Sequence, residues 1–182
     1  MEKKGEETEL KPVIPLISVE PEKKTRSNPR FDLKSGLSYL VEETTPNIGF
    51  EIFSDAVNNN MPGLCIIRRN PNEIRQRYKF TKTPIIWLRG TPSDLPFILS
   101  TDLGQVAVNI DEFIEHTKNG VIFLEGVEYL INNNDFRSVE QLIEHINDSI
   151  STSSCCFLLS ANPKVFNEQQ LSFLEREIVH RL

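Results

Sequence analysis

From residue 31 onward, short apolar runs alternate with segments of helical periodicity. The apolar runs lie at 37–41, 63–67, 84–88, 121–124 and 155–159. They are short and most lack polar alternation, which predicts strands buried on both faces. Between them, apolar residues recur at helical spacing. Ile48, Ile52, Phe53, Ala56 and Val57 form one stripe, and Leu103, Val106, Ile110, Phe113 and Ile114 a second. Val139, Leu142, Ile143, Ile146 and Ile150 form a third, with Ser138 and Gln141 at capping-box positions. Leu171, Leu174 and Ile178 form a fourth, with Asn167 and Gln170 placed likewise. Asparagine runs at 58–60 and 132–134 read as stops. Strands alternating with helices predict an α/β fold: a mostly parallel sheet with helices on both faces.

The first 30 residues break this pattern. They hold four prolines and many Glu and Lys, with little apolar surface to offset the entropy of ordering. The expected organisation is a flexible tail over 1–30 and one domain over 31–182. Residues 12–19 (PVIPLISV) are the one stretch of the tail able to dock, on the domain or on a partner.

Bulk composition narrows the function classes. The chain has 182 residues, 38% of them hydrophobic and 25% charged, as expected of a domain with its own core. No apolar run is long enough for a membrane span, and the charged N-terminus does not read as a secretory signal. Three cysteines, all in apolar runs, read as buried reduced thiols, which fits a cytoplasmic location. No spacing suggests a metal site, and His116, His145 and His180 stand isolated. The net charge of −6 disfavours nucleic acid as a partner. The stretch 68–89 runs against that charge, with seven Lys/Arg and one acid.

In open α/β sheets, ligands bind beyond the carboxyl ends of the strands, so candidate chemistry lies just after each run. After the first comes Glu42-Glu43, then a turn to Gly49, Phe50 and Glu51. A phosphate loop at that place needs several glycines, a Lys and a Ser/Thr. Here only Gly49 is present, Phe50 and Glu51 stand at the approximate Lys and Ser/Thr positions, and the two acids would repel a triphosphate. A plain strand-to-helix loop is the simpler account. After the fourth run come Glu125 and Glu128. Glu125 stands where NTPases keep the acid of the magnesium shell, or else caps a turn or pairs with an Arg. An acid/base pair of Glu125 and Glu128 lacks a supporting His, Ser or metal ligand. Arg68, Arg69 and Arg89 offer anion or carboxylate recognition, or a solvated face, and Trp87 lies among them in an apolar run.

In order along the chain, 38–42 (SYLVE), 62–68 (PGLCIIR) with Asn70-Pro71, 83–88 (TPIIWL), 126–130 (GVEYL) and 173–176 (FLER) resemble the archaeal "domain of unknown function 835" family. The resemblance runs from about Leu37 to Glu177. Its members usually carry Asp where this chain has Glu125, and many are attached to sensor or receiver modules of archaeal signalling proteins. A more distant similarity is to KaiC/RecA-type ATPases, carried by Leu40-Val41, Ile52-Phe53 and 62–67. It implies a RecA-like three-layer sandwich with a degenerate phosphate loop. Against that pattern the loop lacks Lys, and Arg68-Arg69 replace the acids that activate water, so most stabilisation of phosphoryl transfer is missing.

The resulting expectation is a non-catalytic regulatory or protein-interaction module of archaeal signalling with no cofactor. Its partner-binding face would carry Arg68, Arg69, Arg89, Trp87, Glu125 and Glu128, and a degenerate phosphate loop would lie at Glu43, Gly49, Phe50 and Glu51. The alternative is a nucleotide- or anion-binding sensor in which the arginines supply the missing positive charge.

Overall fold

The computed structural model describes residues 10–22, 28–178 and 180–182. Its centre is a seven-stranded sheet in which every neighbouring pair is parallel. The elements are β1 (Ser38–Glu42), α1 (Ile48–Asn58), β2 (Gly63–Ile67), α2 (Pro71–Tyr78), β3 (Ile85–Arg89), β4 (Phe97–Leu99), α3 (Leu103–His116), β5 (Val121–Glu125), α4 (Val127–Asn133), α5 (Phe136–Ser151), β6 (Cys156–Ala161), α6 (Glu168–Glu177) and β7 (His180–Arg181). The order across the sheet is β4-β3-β2-β5-β6-β1-β7.

The continuous apolar runs follow from this position. β2, β5 and β6 are buried along their whole length. Their side chains alternate between two cores, as the pleat requires. Leu64, Ile66, Ile122, Leu124, Phe157 and Leu159 face one layer with α3, α4, α5 and α6. Cys65, Ile67, Val121, Phe123, Cys156 and Leu158 face the other with α1 and α2. The molecule is thus a three-layer α/β sandwich. Parallel crossovers are right-handed, so their direction fixes their face. The connections β1–α1–β2 and β2–α2–β3 run toward β4 and share one face. Those from β4 through β5 and β6 to β7 run back on the other.

Local chemistry sets the helix ends. The capping box Asn167/Gln170 forms as the sequence predicts. For α5 the expectation needs correction: the cap is Asp135, whose Oδ1 accepts the Ser138 N–H at 2.9 Å. Ser138 therefore lies inside the first turn, because the carboxylate three residues upstream reaches its amide first. Helix α2 forms behind an Asn70 cap with Pro71 at its first position. No helix among the described residues is long and apolar enough to cross a membrane. The cysteines are free and buried, and burial pushes the Cys156 thiol up to about 12.

Within the stretch read as a tail, residues 1–9 and 23–27 lie outside the described residues. Residues 10–22 lie along the domain. Leu16 is fully buried, and the Val13 N–H donates to Asn109 Oδ1 at 3.0 Å. Glu22 is 1% exposed and anchors the end of this strap. Its carboxylate accepts from the amides of Thr81, Lys82 and Thr83 and from the hydroxyls of Thr81 and Thr83, at 2.7–3.0 Å. Burial alone would raise the Glu22 pKa. The hydrogen bonds from Lys82, Thr81 and Thr83 override it and hold the group at about 2, against an ordinary 4.5.

Because the folded carboxyl titrates below its unfolded value, its stabilisation is complete above about pH 5 and is lost as the pH falls through about 2. Glu22→Gln should lower stability by about 3 kcal/mol at pH 7. The gap to the parent chain in urea unfolding should close progressively between about pH 5 and pH 2. A gap that stays constant over that range would remove the anchoring role of Glu22.

Candidate functional site at the head of the sheet

Two pairs of neighbouring strands, β1/β6 and β2/β5, send the following chain to opposite faces of the sheet. Such divergence opens a crevice at the carboxyl ends. A pocket of about 210 Å³ lies there, lined among others by Glu43, Pro46, Glu125, Glu128, Ser160 and Asn162.

Glu43 directly follows β1 and is 8% exposed. Its Oε2 accepts the N–H groups of Asn47 at 2.9 Å and Ile48 at 2.7 Å. Its Oε1 accepts the Gly49 N–H at 3.1 Å and the Ser160 hydroxyl at 2.7 Å. These amides open α1, whose own cap residue Asn47 makes no side-chain capping bond. A helix N-terminus presents unpaired N–H groups and a positive dipole end, the features that hold phosphate in nucleotide-binding folds. Here a carboxylate of the same chain occupies that cradle.

The neighbours of Glu43 fit this arrangement. A Cβ on Gly49 would come within 2.8 Å of both Glu43 Oε1 and the Phe123 ring, so the residue must be glycine for the carboxylate to approach. Phe50 is fully buried, edge-on to Phe123 at 5.0 Å and stacked on Tyr78 at 5.3 Å. It is a core residue. Glu51 is exposed, 3.9 Å from Arg30. Glu42 points elsewhere, 3.9 Å from Arg181.

Glu125 ends β5 and is 9% exposed. Its Oε2 accepts the amides of Arg68 at 2.9 Å and Arg69 at 3.3 Å, so it caps the turn that follows β2. Burial raises its pKa, and the two amides oppose that only in part. Glu128, on the first turn of α4, accepts the Asn162 N–H through Oε1 at 2.6 Å. Burial raises its pKa as well. Three carboxylates thus share one crevice, and each holds backbone amides of a neighbouring turn.

The arginines lie beside this pocket and do not line it. The Arg68 guanidinium stacks over Tyr129 at 4.3 Å and that of Arg89 over Trp87 at 4.2 Å, while Arg69 stands 5.9 Å from the Phe50 ring. Trp87 is half-buried, and its Nε1–H donates to the Arg68 carbonyl at 2.9 Å. Sequence reasoning did not single out Tyr129, which its place on the helix after Gly126 brings under Arg68. It also read His116 as isolated. In the fold, ligand atoms of Glu112, Glu115 and His116 lie within 4.8 Å of one another on α3, with Glu115 and His116 exposed. Exposed acids commonly gather in this way without an ion.

The family model described as "Protein of unknown function (DUF835)" matches residues 42–178. The chain belongs to this family. The match begins at the last residue of β1 and spans the whole crevice, so Glu43, Arg68, Glu125 and Ser160 all lie within the DUF835 region. No curated protein matches the chain.

Glu43→Ala should strand three amides and one hydroxyl and cost about 3 kcal/mol, with Glu43→Gln costing less because an oxygen remains. Gly49→Ala should cost about 1–3 kcal/mol through overpacking. In a double-mutant cycle of Glu43→Ala with Gly49→Ala the losses should be less than additive, since the first change removes one of the two clashing groups. Strict additivity in thermal or denaturant unfolding would contradict the contact.

Proposed function

We propose that this chain is a non-catalytic regulatory or protein-interaction module of archaeal signalling, built on a RecA-like core whose phosphate cradle is filled from within. The observation that carries the reading is the Glu43 carboxylate on the amides of Asn47, Ile48 and Gly49. A triphosphate would have to displace an anion already held by three N–H groups and Ser160. It would do so without a lysine and against the like charge of Glu125 and Glu128. The strand order supports the RecA likeness. β1 and β5 flank β6, so the turn after β1 and the acid ending β5 meet in one crevice, as a phosphate loop and a magnesium-side acid would. Glu125 is engaged instead with the backbone of Arg68 and Arg69.

Calorimetry of the full chain with ATP, GTP and cyclic dinucleotides, with Mg²⁺ present, should give no binding heat up to about 1 mM ligand. Glu43→Ala, confirmed as folded by circular dichroism, should gain measurable affinity for pyrophosphate, and Glu43→Gln should not. Micromolar nucleotide affinity in the parent chain, abolished by Arg68→Ala, would replace this reading with that of a nucleotide sensor.

A further inference from the structure

We infer that the two arginine–aromatic stacks at the ends of β2 and β3 form a shelf for an acidic segment of a partner protein, with Arg68 and Arg89 each taking a carboxylate. This inference rests on the reading of the domain as an interaction module and names the chemistry of the partner. The two stacks are adjacent because Ile67 and Trp87 are register partners in the β2/β3 pair. The bond from Trp87 Nε1 to the Arg68 carbonyl ties one stack to the other. The Arg68 backbone is fixed in turn by Glu125.

Neither guanidinium has a carboxylate partner within 4.0 Å among the described residues, although acids outnumber bases in the chain. Arg89 spends one donor on Thr91 Oγ1 at 3.2 Å. Stacking on an aromatic ring covers a flat face of a guanidinium and leaves its N–H edge free. It also restricts the side chain before any ligand arrives, which lowers the entropy cost of binding. The free edge is a fork of parallel donors, and its match is the paired oxygens of a carboxylate. Arg69, in the same turn as Arg68, adds a third guanidinium at this end of the sheet.

The competing polyanions fit less well. Single-stranded nucleic acid binds by stacking bases on aromatic faces. Here Tyr129 and Trp87 each have a ring face already taken by a guanidinium.

Fluorescence anisotropy with a labelled peptide of alternating Asp, Glu and Ser, against its Asn/Gln counterpart, tests the shelf on the full chain. The acidic peptide should bind with a Kd on the order of tens of micromolar and the amide peptide should not. Arg68→Ala and Arg89→Ala should each weaken binding about tenfold. Arg68→Lys and Arg89→Lys, which keep the charge and lose the fork, should recover only part of it. Full recovery by lysine would reduce the shelf to diffuse charge and overturn the inference. So would an absence of binding up to about 1 mM peptide. An RNA oligonucleotide that binds more tightly than the peptide, with the same arginine dependence, would overturn it as well. None of these failures touches the filled cradle, which the nucleotide calorimetry reads separately. Unchanged unfolding midpoints in the arginine variants keep each result interpretable.

Discussion

The first turn of a helix carries amides that find no acceptor inside the helix, and α1 aims that turn at the crevice between β1 and β6. Glu43 meets this requirement from four to six residues upstream and satisfies Asn47, Ile48 and Gly49 together. Much of the site's geometry follows from that contact. It curls the chain between β1 and α1 back over its own carboxylate. It demands glycine at position 49, where a methyl group would meet both Glu43 and Phe123. It sets Phe50 into the core beneath the crevice and, through Ser160, joins the head of β1 to that of β6.

The other two acids of the crevice repeat the principle with fewer bonds. Glu43 holds three amides, Glu125 two and Glu128 one. Burial raises the pKa of Glu125 and of Glu128, because one or two amides do not fully replace lost water around a charge. All three carboxylates act as struts: Glu43 closes its own turn, Glu125 steadies the turn after β2, and Glu128 steadies the chain leaving β6. Seen as isolated side chains they suggest acid/base or metal chemistry. Seen with their partners, they are anions committed to the backbone.

The sequence made the central layer legible. The run 63–67 coincides with β2, the other four apolar runs fall on β1, β3, β5 and β6, their lack of polar alternation marks burial on both faces, and the parallel sheet follows from strands alternating with helices. Elements without an apolar stripe were missed. Helix α2 buries only Pro71 and Ile74, α4 only Val127 and Leu130, while β4 has three residues and β7 two. The role of Glu43 was hidden for a different reason. Its position suggested an acid that would repel a phosphate, and nothing in a linear pattern shows that a four-residue turn returns that acid to the amides as their ligand. The strap was legible only in part: residues 12–19 read as able to dock, but one buried leucine and one multiply bonded glutamate leave no periodic trace that places them on the domain.

The crevice and the arginine shelf are mechanically one device. Glu125 fixes the backbone of Arg68 and Arg69, and the next residue, Gly126, turns the chain with a φ of 109° to start α4. A Cβ there would stand 3.1 Å from the Arg68 Cβ, so the turn can pass beneath Arg68 only as glycine. Three residues on, Tyr129 provides the ring on which the guanidinium lies. Glu125 is bonded to backbone, and that bond orients an exposed cation. The electrostatics therefore divide cleanly. Negative charge is buried in the crevice and bonded to backbone amides, while positive charge is held outward on aromatic rings with no carboxylate partner among the described residues. A surface built in this way discriminates between anions by geometry as well as by sign, because rigid forks reward paired oxygens at a fixed spacing more than they reward total charge.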